Sequence, residues 1–467
     1  MPLARFAVSL RAALAIVLIA TAEASSLAVA AAADKDAHVV IISIDGFAGY
    51  LLDDPKVPAP TLRRLAKQGA IAVGGMKVSN PSVTWPNHTS LVTGVRPEKH
   101  GVLANGVLVR GAVDAPVLID PKRDKADLVR VPTIFDAAYA AGLTTADINW
   151  PCTRNAGTLH DTFPDTPESI TYSTPRLINK LVADGLLTEA TEKAFGAVGI
   201  VGRDHVWTEA ACEVIRARKP NLLLLHLLNC DSTHHTFGPQ TPAGYTANAY
   251  ADSCVARVLA ALDEAGIRDR TTVFIVADHG FATTPKSLKP NVVLRQAGLL
   301  SSVGGKTTEA RVNAVPEGGV ALVYCNDPGT AETDRARVRE LFAGKEGIAA
   351  VVGPAQFGEY GLPQPREYAQ APDLVLAAKD GYNFSASPEG EELVTSNVEA
   401  KTSIGTHGFP STMEKMNALC IVAGRGIRAG VKLEGVENID VAPTAARLLG
   451  LEAFPADGRP LEAALAP

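Results

Sequence analysis

Three long apolar runs recur along the chain, and each one leads directly into an acidic residue. They cover residues 38–44 before Asp45, 221–230 before Asp231 and 271–277 before Asp278. Polar and apolar positions do not alternate within them, which is typical of strands buried on both faces of a parallel sheet. Ligands of such sheets bind beyond the carboxyl ends of the strands, so we expect the three carboxylates to gather along one edge.

Helix-like segments alternate with the strand-like runs. The pattern predicts helices over residues 60–68, 132–141, 205–218 and 245–265, and further strands over 143–149 and 418–422. Gly69, Gly142 and Gly266 stop three of these helices, as glycine commonly does. Alternation of this kind implies right-handed crossovers. The predicted fold class is therefore α/β, with a mostly parallel central sheet and helices on both faces.

Residues 289–400 break this alternation. They contain short strand-like stretches at 318–325, 348–352 and 373–378 and a helical stretch at 331–343, separated by glycine and proline. We predict a small α+β cap insertion over 289–400, placed between the two parts of the main domain, 34–288 and 401–467. Residues 106–130 and 155–204 are smaller insertions that we expect to shape a ligand pocket.

The N-terminus has the features of an export signal. Arg5 and Arg11 precede the apolar run 12–22, and small residues follow as far as Ala33. The apolar core is about half of the ~20 residues that a membrane span needs, and Glu23 interrupts it. We predict a cleaved signal peptide over residues 1–33 and a periplasmic or secreted protein without stable membrane insertion. An uncleaved membrane anchor is the alternative.

Composition narrows the possible ligands. The formal net charge of -6 gives no electrostatic footprint for nucleic acid or for an anionic membrane, so an anionic ligand needs a local positive site. The chain has 6 cysteines, which permit disulfides in an exported protein without showing them. It has no C-x-x-C motif, and we expect no metal site built from cysteine. The sequence leaves the oligomeric state open.

Histidines beside the three carboxylates favour a metal site. A buried group of acids persists only when protons or cations neutralise it. His235 follows Asp231 by four residues, His279 adjoins Asp278, and His407 lies between glycines in a loop. Carboxylate and imidazole together form a ligand set typical of zinc. Taken singly, each of these residues also has an ordinary structural explanation.

Thr84 has the position of a nucleophile. Pro86 fits the first turn of a helix and so places Thr84 at or beside its N-cap. Free backbone N–H groups and the helix dipole make such an end a ready anion site. A hydroxyl held there can attack a phosphoryl group when its pKa is lowered. An isolated threonine would more often be a simple N-cap, so the case depends on the predicted metal ligands.

The motifs resemble those of the alkaline phosphatase superfamily and, within it, the nucleotide pyrophosphatase/phosphodiesterase family. The family pattern is present as Thr84-Trp-Pro-Asn-His88, Thr93-Gly94, Pro97-Glu98, His100-Gly101 and Asp231-Ser-Thr-His-His235 with Gly238-Pro239. His234 stands where the family usually has glycine. The resemblance extends from about residue 38 to the segment 438–443.

The resemblance implies two zinc ions per chain and a role for each motif residue. One ion would be held by Asp231, His235 and His407, and the other by Asp45, Asp278 and His279 together with the Thr84 oxygen. Asn105 and the Thr84 backbone N–H would hold a phosphoryl oxygen. Trp85, or Tyr172 in the second small insertion, is a candidate for stacking on the substrate. The remaining histidines are expected to be structural.

The implied function is hydrolysis of a small-molecule phosphodiester or pyrophosphate of the nucleotide type through a covalent phosphothreonine. A phosphomonoesterase would want a further cation near the nucleophile, and Arg96 is expected to face away. A lipid head-group phosphodiesterase, a phosphonoacetate-type hydrolase and an inactive binding protein are further alternatives, although no ligand is missing. A sulfatase is disfavoured because Ser82 does not begin the Ser-x-Pro-x-Arg motif of those enzymes.

Overall fold

The computed structural model describes residues 33–451 and 454–467. The predicted signal peptide lies outside that range except for Ala33. None of the helices that the structure describes is long and apolar enough to cross a membrane.

Two sheets dominate the described chain. In chain order, their strands are β1 (His38–Ile44), β2 (Ala70–Ala72), β3 (Thr145–Pro151), β4 (Asp161–Asp165), β5 (Leu222–Leu227), β6 (Thr271–Val276), β7 (Val312–Glu317), β8 (Val320–Cys325), β9 (Ile348–Val352), β10 (Leu374–Ala378), β11 (Cys420–Gly424) and β12 (Val431–Leu433). The 8-stranded central sheet has the order β12-β2-β11-β6-β1-β5-β3-β4. The second sheet has the order β7-β8-β10-β9.

Most neighbours in the central sheet are parallel. β1 pairs in parallel with β5 on one side and with β6 on the other, while β11 is antiparallel to both β2 and β6. Every residue of β1, β5 and β6 is buried. Burial on both faces explains why these runs show no polar alternation. The predicted α/β fold with a mostly parallel sheet is confirmed.

The longer helices pack beside both sheets, and those beside the central sheet form two separate groups. The longer helices are α1 (Pro60–Gln68), α2 (Thr84–Thr93), α3 (Ile134–Ala140), α4 (Pro175–Ala183), α5 (Ile200–Arg218), α6 (Asn229–Phe237), α7 (Pro242–Glu264), α8 (Pro290–Gln296), α9 (Ala331–Phe342) and α10 (Val441–Leu448). α7 contacts α1 and α5, whereas α2, α3 and α10 contact one another. This division is expected for helices that cover the two faces of one sheet.

Two helices begin at residues other than those that the sequence pattern predicts. The helix predicted from residue 132 begins at Ile134, because the Thr133 side chain and Asp136 form a capping box. The helix predicted from residue 205 begins already at Ile200. Gly202, a poor helix former, lies in that first turn and hides the true start from a propensity-based reading.

The second sheet falls within the region predicted as a cap insertion. All of its pairings are antiparallel, and α9 connects β8 to β9. Leu322 and Val352 of this sheet form one apolar cluster with Leu103, Leu108 and Phe357. The cluster fixes the second sheet against the segment that follows α2. The domain boundaries at residues 289 and 400 stay a prediction.

All 6 cysteines lie within the described residues, and each is a buried free thiol. The disulfides that the sequence left open are therefore not formed in this structure.

Candidate metal centre and active site

The register of three parallel strands places the predicted metal ligands at one edge of the sheet. Ile44 at the end of β1 pairs with Leu227 of β5, and Ser43 pairs with Val276 of β6. The three strands therefore end at the same level. Asp45 follows β1 directly, and Asp278 follows β6 after one residue.

The carboxylate and imidazole residues singled out in the sequence converge at this edge. His279 Nε2 lies 3.3 Å from Asp45 Oδ1 and 3.1 Å from Asp278 Oδ2. Asp231 Oδ1 lies 3.3 Å from His235 Nε2 and 3.6 Å from His407 Nε2. We call the first three residues (Asp45, Asp278, His279) the inner group and the other three (Asp231, His235, His407) the outer group.

His279 links the two groups. Its potential ligand atom lies within 4.8 Å of those of Asp45 and Asp278, and also within 4.8 Å of those of Asp231 and His407. Its ring stacks on the His407 ring, with centroids 3.6 Å apart and planes 10° from parallel. The division of ligands between two ions that the resemblance implies therefore stays a prediction.

Several atoms at this edge have no hydrogen-bond partner among the described residues. They are Asp45 Oδ1, Asp231 Oδ1, Asp278 Oδ2 and His279 Nε2, all buried. Leaving buried polar atoms unpaired is costly, and in native proteins such atoms usually meet a partner, water or an ion. Oxygen and imidazole donors that converge in this way fit divalent cations, and zinc in particular.

Backbone carbonyls orient the outer imidazoles. His235 Nδ1 lies 2.9 Å from the Gly405 carbonyl oxygen, and His407 Nδ1 lies 2.9 Å from that of Ser82. A carbonyl only accepts hydrogen bonds, so each Nδ1 carries the ring proton and donates it. Each Nε2 then keeps its lone pair toward Asp231, which is the orientation that a metal ligand requires.

Electrostatics of the inner group favour a bound cation. Burial raises the pKa of Asp45 well above its usual range, and the charge of Asp231 adds to this effect. Burial likewise raises the pKa of Asp278, with Asp45 as the next cause. Burial lowers the pKa of His279 far below its usual range. Without a cation, the acids therefore tend to hold protons and the imidazole stays neutral.

The outer group contains its own compensating charges. Burial acts to raise the pKa of Asp231, but His235 and then His407 and His279 outweigh it, so this pKa is lowered. The pKa of His235 is raised in turn, because Asp231 outweighs the effect of burial. An ionised carboxylate therefore faces imidazoles even in the absence of a metal.

Two further histidines, His226 and His88, lie behind the inner group. Both were expected from the sequence to have structural roles. His226 Nε2 lies 2.9 Å from Asp45 Oδ2, and its Nδ1 lies 2.9 Å from the Asn149 carbonyl oxygen. His88 Nδ1 lies 3.6 Å from Asp278 Oδ2. The Asn149 carbonyl oxygen accepts the hydrogen bond from His226 Nδ1–H, which directs His226 Nε2 at Asp45. His226 therefore fixes the orientation of Asp45, whereas His88 lies against Asp278 without a hydrogen bond to it.

Thr84 is the first residue of α2 and is buried. Its carbonyl oxygen lies 2.9 Å from His88 Nδ1, the same nitrogen that faces Asp278. The Trp85 backbone N–H donates to Asn105 Oδ1 at 2.9 Å. This contact directs Asn105 to the helix start and leaves its amide nitrogen as a donor for a ligand there.

Trp85 is 6% exposed, and its indole Nε1–H donates to Asp165 at 3.1 Å. Tyr172, the second candidate for stacking, lies under the Arg154 guanidinium, 4.1 Å from the ring centroid. Stacking of either ring on a substrate stays a prediction.

Asp204 holds the start of the helix that carries Asp231. Its two carboxylate oxygens accept the backbone N–H groups of Leu228 at 2.9 Å and Asn229 at 3.0 Å. Burial raises the pKa of Asp204 to about 6. The sequence does not reveal this role, because an acid in a helix carries no signal for a contact with a strand end 24 residues later.

His234, the departure from the family pattern, lies outside the ligand groups. Its ring is buried edge-on against Phe281, with centroids 5.3 Å apart. Neither ring nitrogen has a partner among the described residues, and burial lowers its pKa to about 4. The side chain therefore acts as an uncharged packing group at neutral pH.

The sequence of this chain matches the model of one protein family over most of its length. Residues 39–410 match the model of the type I phosphodiesterase/nucleotide pyrophosphatase family. The chain belongs to this family. Human ectonucleotide pyrophosphatase/phosphodiesterase family member 1 is 22% identical over 425 residues, which cover 90% of this chain and 40% of the human protein. The present family member therefore spans well under half the length of that relative.

Two further relatives show a similar degree of identity. A venom phosphodiesterase of Macrovipera lebetinus is 21% identical, covering 91% of this chain and 44% of the venom protein. An uncharacterized pyrophosphatase/phosphodiesterase of Schizosaccharomyces pombe is 23% identical, covering 90% of this chain and 78% of the yeast protein.

Solved structures of the family share the fold. An inactive variant of murine ectonucleotide pyrophosphatase/phosphodiesterase 5, in complex with AMP, matches with a TM-score of 0.67 at 19% identity, covering 92% of this chain and 100% of that one. The human counterpart matches with a TM-score of 0.64 at 18% identity, covering 90% and 97%. At this identity the likeness establishes the fold alone.

Proposed function

We propose that this family member is an exported, zinc-dependent hydrolase of phosphodiester or pyrophosphate bonds, with small nucleotide-type esters as substrates. The observation that carries the proposal is the convergence of unpartnered carboxylate and imidazole atoms beside the start of α2. The inner and outer groups would each contribute to holding one of two zinc ions. When bound, zinc lowers the pKa of a coordinated hydroxyl and neutralises charge on phosphoryl oxygens.

We assign a role in the proposed reaction to Thr84 and to Asn105. Thr84 Oγ1 releases its proton to solvent and attacks phosphorus in line with the leaving oxygen. The Oγ1–phosphorus bond forms as the ester bond breaks, and a leaving alcohol oxygen takes up a proton from water. The Asn105 amide nitrogen and the Thr84 backbone N–H donate to a phosphoryl oxygen and stabilise its developing charge. Water then cleaves the phosphothreonine and regenerates the Thr84 hydroxyl.

A cavity beside the site offers room for a substrate group. Its volume is about 550 Å³, and its lining includes Asn149, Asp165, Arg203 and Trp207. Asp165 accepts the indole N–H of Trp85, next to the proposed nucleophile. Asn149 contacts His226, which backs the inner group. We propose that this cavity holds the part of the ester that lies away from the reacting phosphorus.

The surroundings of Thr84 support diester over monoester substrates. A monoester carries a second negative charge, which favours an additional cation near the nucleophile. Arg96, the nearest arginine along the sequence, forms an ion pair with Glu437. The AMP complex of the murine relative and the names of the ectonucleotide and venom relatives support a nucleotide-type substrate and export.

Turnover of chromogenic esters by the zinc-loaded protein tests the proposal. Bis-p-nitrophenyl phosphate and thymidine 5′-p-nitrophenyl phosphate should be hydrolysed faster than p-nitrophenyl phosphate. Preference for the monoester would contradict the diesterase assignment.

Thr84→Ala tests the nucleophile. The variant should keep its zinc but lose at least about a thousandfold in kcat, because no other side chain can form the covalent intermediate. Thr93→Ala, in the last turn of the same helix, is the matched control and should keep near-normal kcat. An active Thr84→Ala variant would refute the proposed nucleophile.

A further inference from the structure

The turn between β7 and β8 lies directly on the loop that carries His407. We call residues 317–320 the clamp turn. The Gly319 N–H donates to the His407 carbonyl oxygen at 2.7 Å. A Cβ atom at Gly318 would lie 2.2 Å from that same oxygen, and one at Gly319 would lie 2.3 Å from the Phe409 ring. Only glycine fits at either position without moving the His407 loop.

The opposite side of the loop is held by the segment that leads into Thr84. The Ser82 carbonyl oxygen accepts from the Gly408 N–H and from His407 Nδ1, each at 2.9 Å. The Ser82 hydroxyl donates to the Phe409 carbonyl oxygen at 2.6 Å. The His407 loop is therefore fixed between Ser82 and the clamp turn.

Strand β10 of the second sheet and the short strand Tyr382–Phe384 that follows it fix the clamp turn itself. The Ala378 N–H donates to the Gly319 carbonyl oxygen at 2.9 Å, and the Phe384 N–H donates to that of Gly318 at 2.8 Å. Gly318 also has φ +74°, a conformation that side-chain-bearing residues rarely adopt. A continuous run of backbone hydrogen bonds thus joins the second sheet to the outer group.

We propose that Gly318 and Gly319 are positioning residues for His407, so that the insertion is part of what holds metal in the outer group. The inference rests on the zinc site of the proposed function. A side chain at either glycine pushes the His407 backbone away and moves its Nε2 relative to Asp231. Changes in groups that orient a ligand typically cost 10- to 100-fold in metal affinity.

The test is zinc binding to the full-length protein. Zinc content per chain is measured at buffered free zinc concentrations for wild type, Gly318→Ala and Gly319→Ala. We expect wild type to hold two ions. Each variant should bind one of the two ions with an affinity that is lower by roughly 10- to 100-fold. Excess zinc should restore both the occupancy of that site and kcat.

Gly344→Ala is the matched control. Gly344 also has a positive φ, +67°, and lies in the same insertion, but a Cβ atom there would have nothing within 4 Å. It should bind zinc like wild type. Equal zinc loss in Gly344→Ala, or native zinc affinity in both Gly318→Ala and Gly319→Ala, would overturn the proposal.

Ser82→Ala decides the matter if the glycine variants do not fold. It removes one hydroxyl and adds no atom, so it cannot clash. Loss of its hydrogen bond to the loop should weaken zinc binding by roughly threefold to tenfold. Unchanged zinc affinity would show that hydrogen bonds to this loop do not position His407, and would overturn the proposal.

Zinc binding and activity separate this inference from the proposed function. A wild-type protein that binds two zinc ions without hydrolysing any ester refutes the function, whereas the zinc titrations still test the clamp turn. A wild-type protein that binds no zinc refutes both.

Discussion

The two halves of the candidate metal centre are built differently. The inner side chains of Asp45, Asp278 and His279 are 0% exposed and follow directly from strand ends. The outer side chains of Asp231 and His235 are 15% and 32% exposed and lie on a short helix. The difference teaches that sheet register fixes the inner ligands, whereas caps and loops fix the outer ones. We expect substitutions in the inner half to abolish activity at any zinc concentration. Activity lost by substitutions in the outer half should recover in part when the free zinc concentration is raised.

Removing an inner ligand should have the largest effect. Asp278→Ala deletes a buried anionic ligand between His279 and His88, and kcat/KM for a phosphodiester should fall by at least about a thousandfold. His235→Ala, in the partly exposed outer group, should lose less and recover in part with excess zinc. Measuring kcat/KM across a range of free zinc concentrations separates the two. An equal response of both variants to zinc would show that the halves do not differ.

Removing an inner support should have an intermediate effect. His226→Ala leaves Asp45 Oδ2 without its partner, so affinity for the inner ion should fall by about 10- to 100-fold. His160→Ala, at an exposed histidine just before β4, is the control. Competition with a chelator reports the affinities. If the His226 variant binds zinc as tightly as the control, the imidazole does not orient Asp45.

The smallest expected effect concerns stability near the outer group. Burial raises the pKa of Glu317, in the clamp turn, to about 8. The folded chain therefore keeps a proton that the unfolded chain has already lost above pH 4.5. This contribution to stability is complete below pH 4.5 and disappears as the pH rises through about 8.

Glu317→Gln should remove that pH dependence. Between pH 7 and pH 9 the wild-type free energy of unfolding should decline by about 1 to 2 kcal/mol more than that of the variant. Urea denaturation of the metal-free proteins at both pH values measures this difference. Glu340→Gln, at an exposed position on α9, should follow wild type. Parallel pH profiles for wild type and Glu317→Gln would contradict the assignment.

The inner carboxylates were predictable because their signal is local. Asp45 and Asp278 each end an apolar run that has no polar alternation, and parallel strands end at one edge. His226 carries no such signal, because a single histidine inside an apolar run has the same pattern as a satisfied core residue. Its role depends on the pairing of Ser43 with His226 across β1 and β5. The one available hint was its place near the end of a strand that itself leads to Asp231.

The clamp turn was unpredictable for a related reason. Its two glycines mark a turn in the sequence, but nothing local indicates that the turn meets a loop about ninety residues later. The first residue of a helix is likewise predictable only where a local sequence signal marks it. The capping box of Thr133 and Asp136 can be found by inspection, whereas the start at Ile200 is hidden by Gly202.

The unpaired state of all 6 cysteines has a practical consequence. A chain whose folding needs no thiol oxidation can be produced in a reducing bacterial cytoplasm once the predicted signal peptide is deleted. Purification buffers can then contain a phosphine reductant. Dithiothreitol is best avoided, because its thiolates would compete with the carboxylates and imidazoles for zinc.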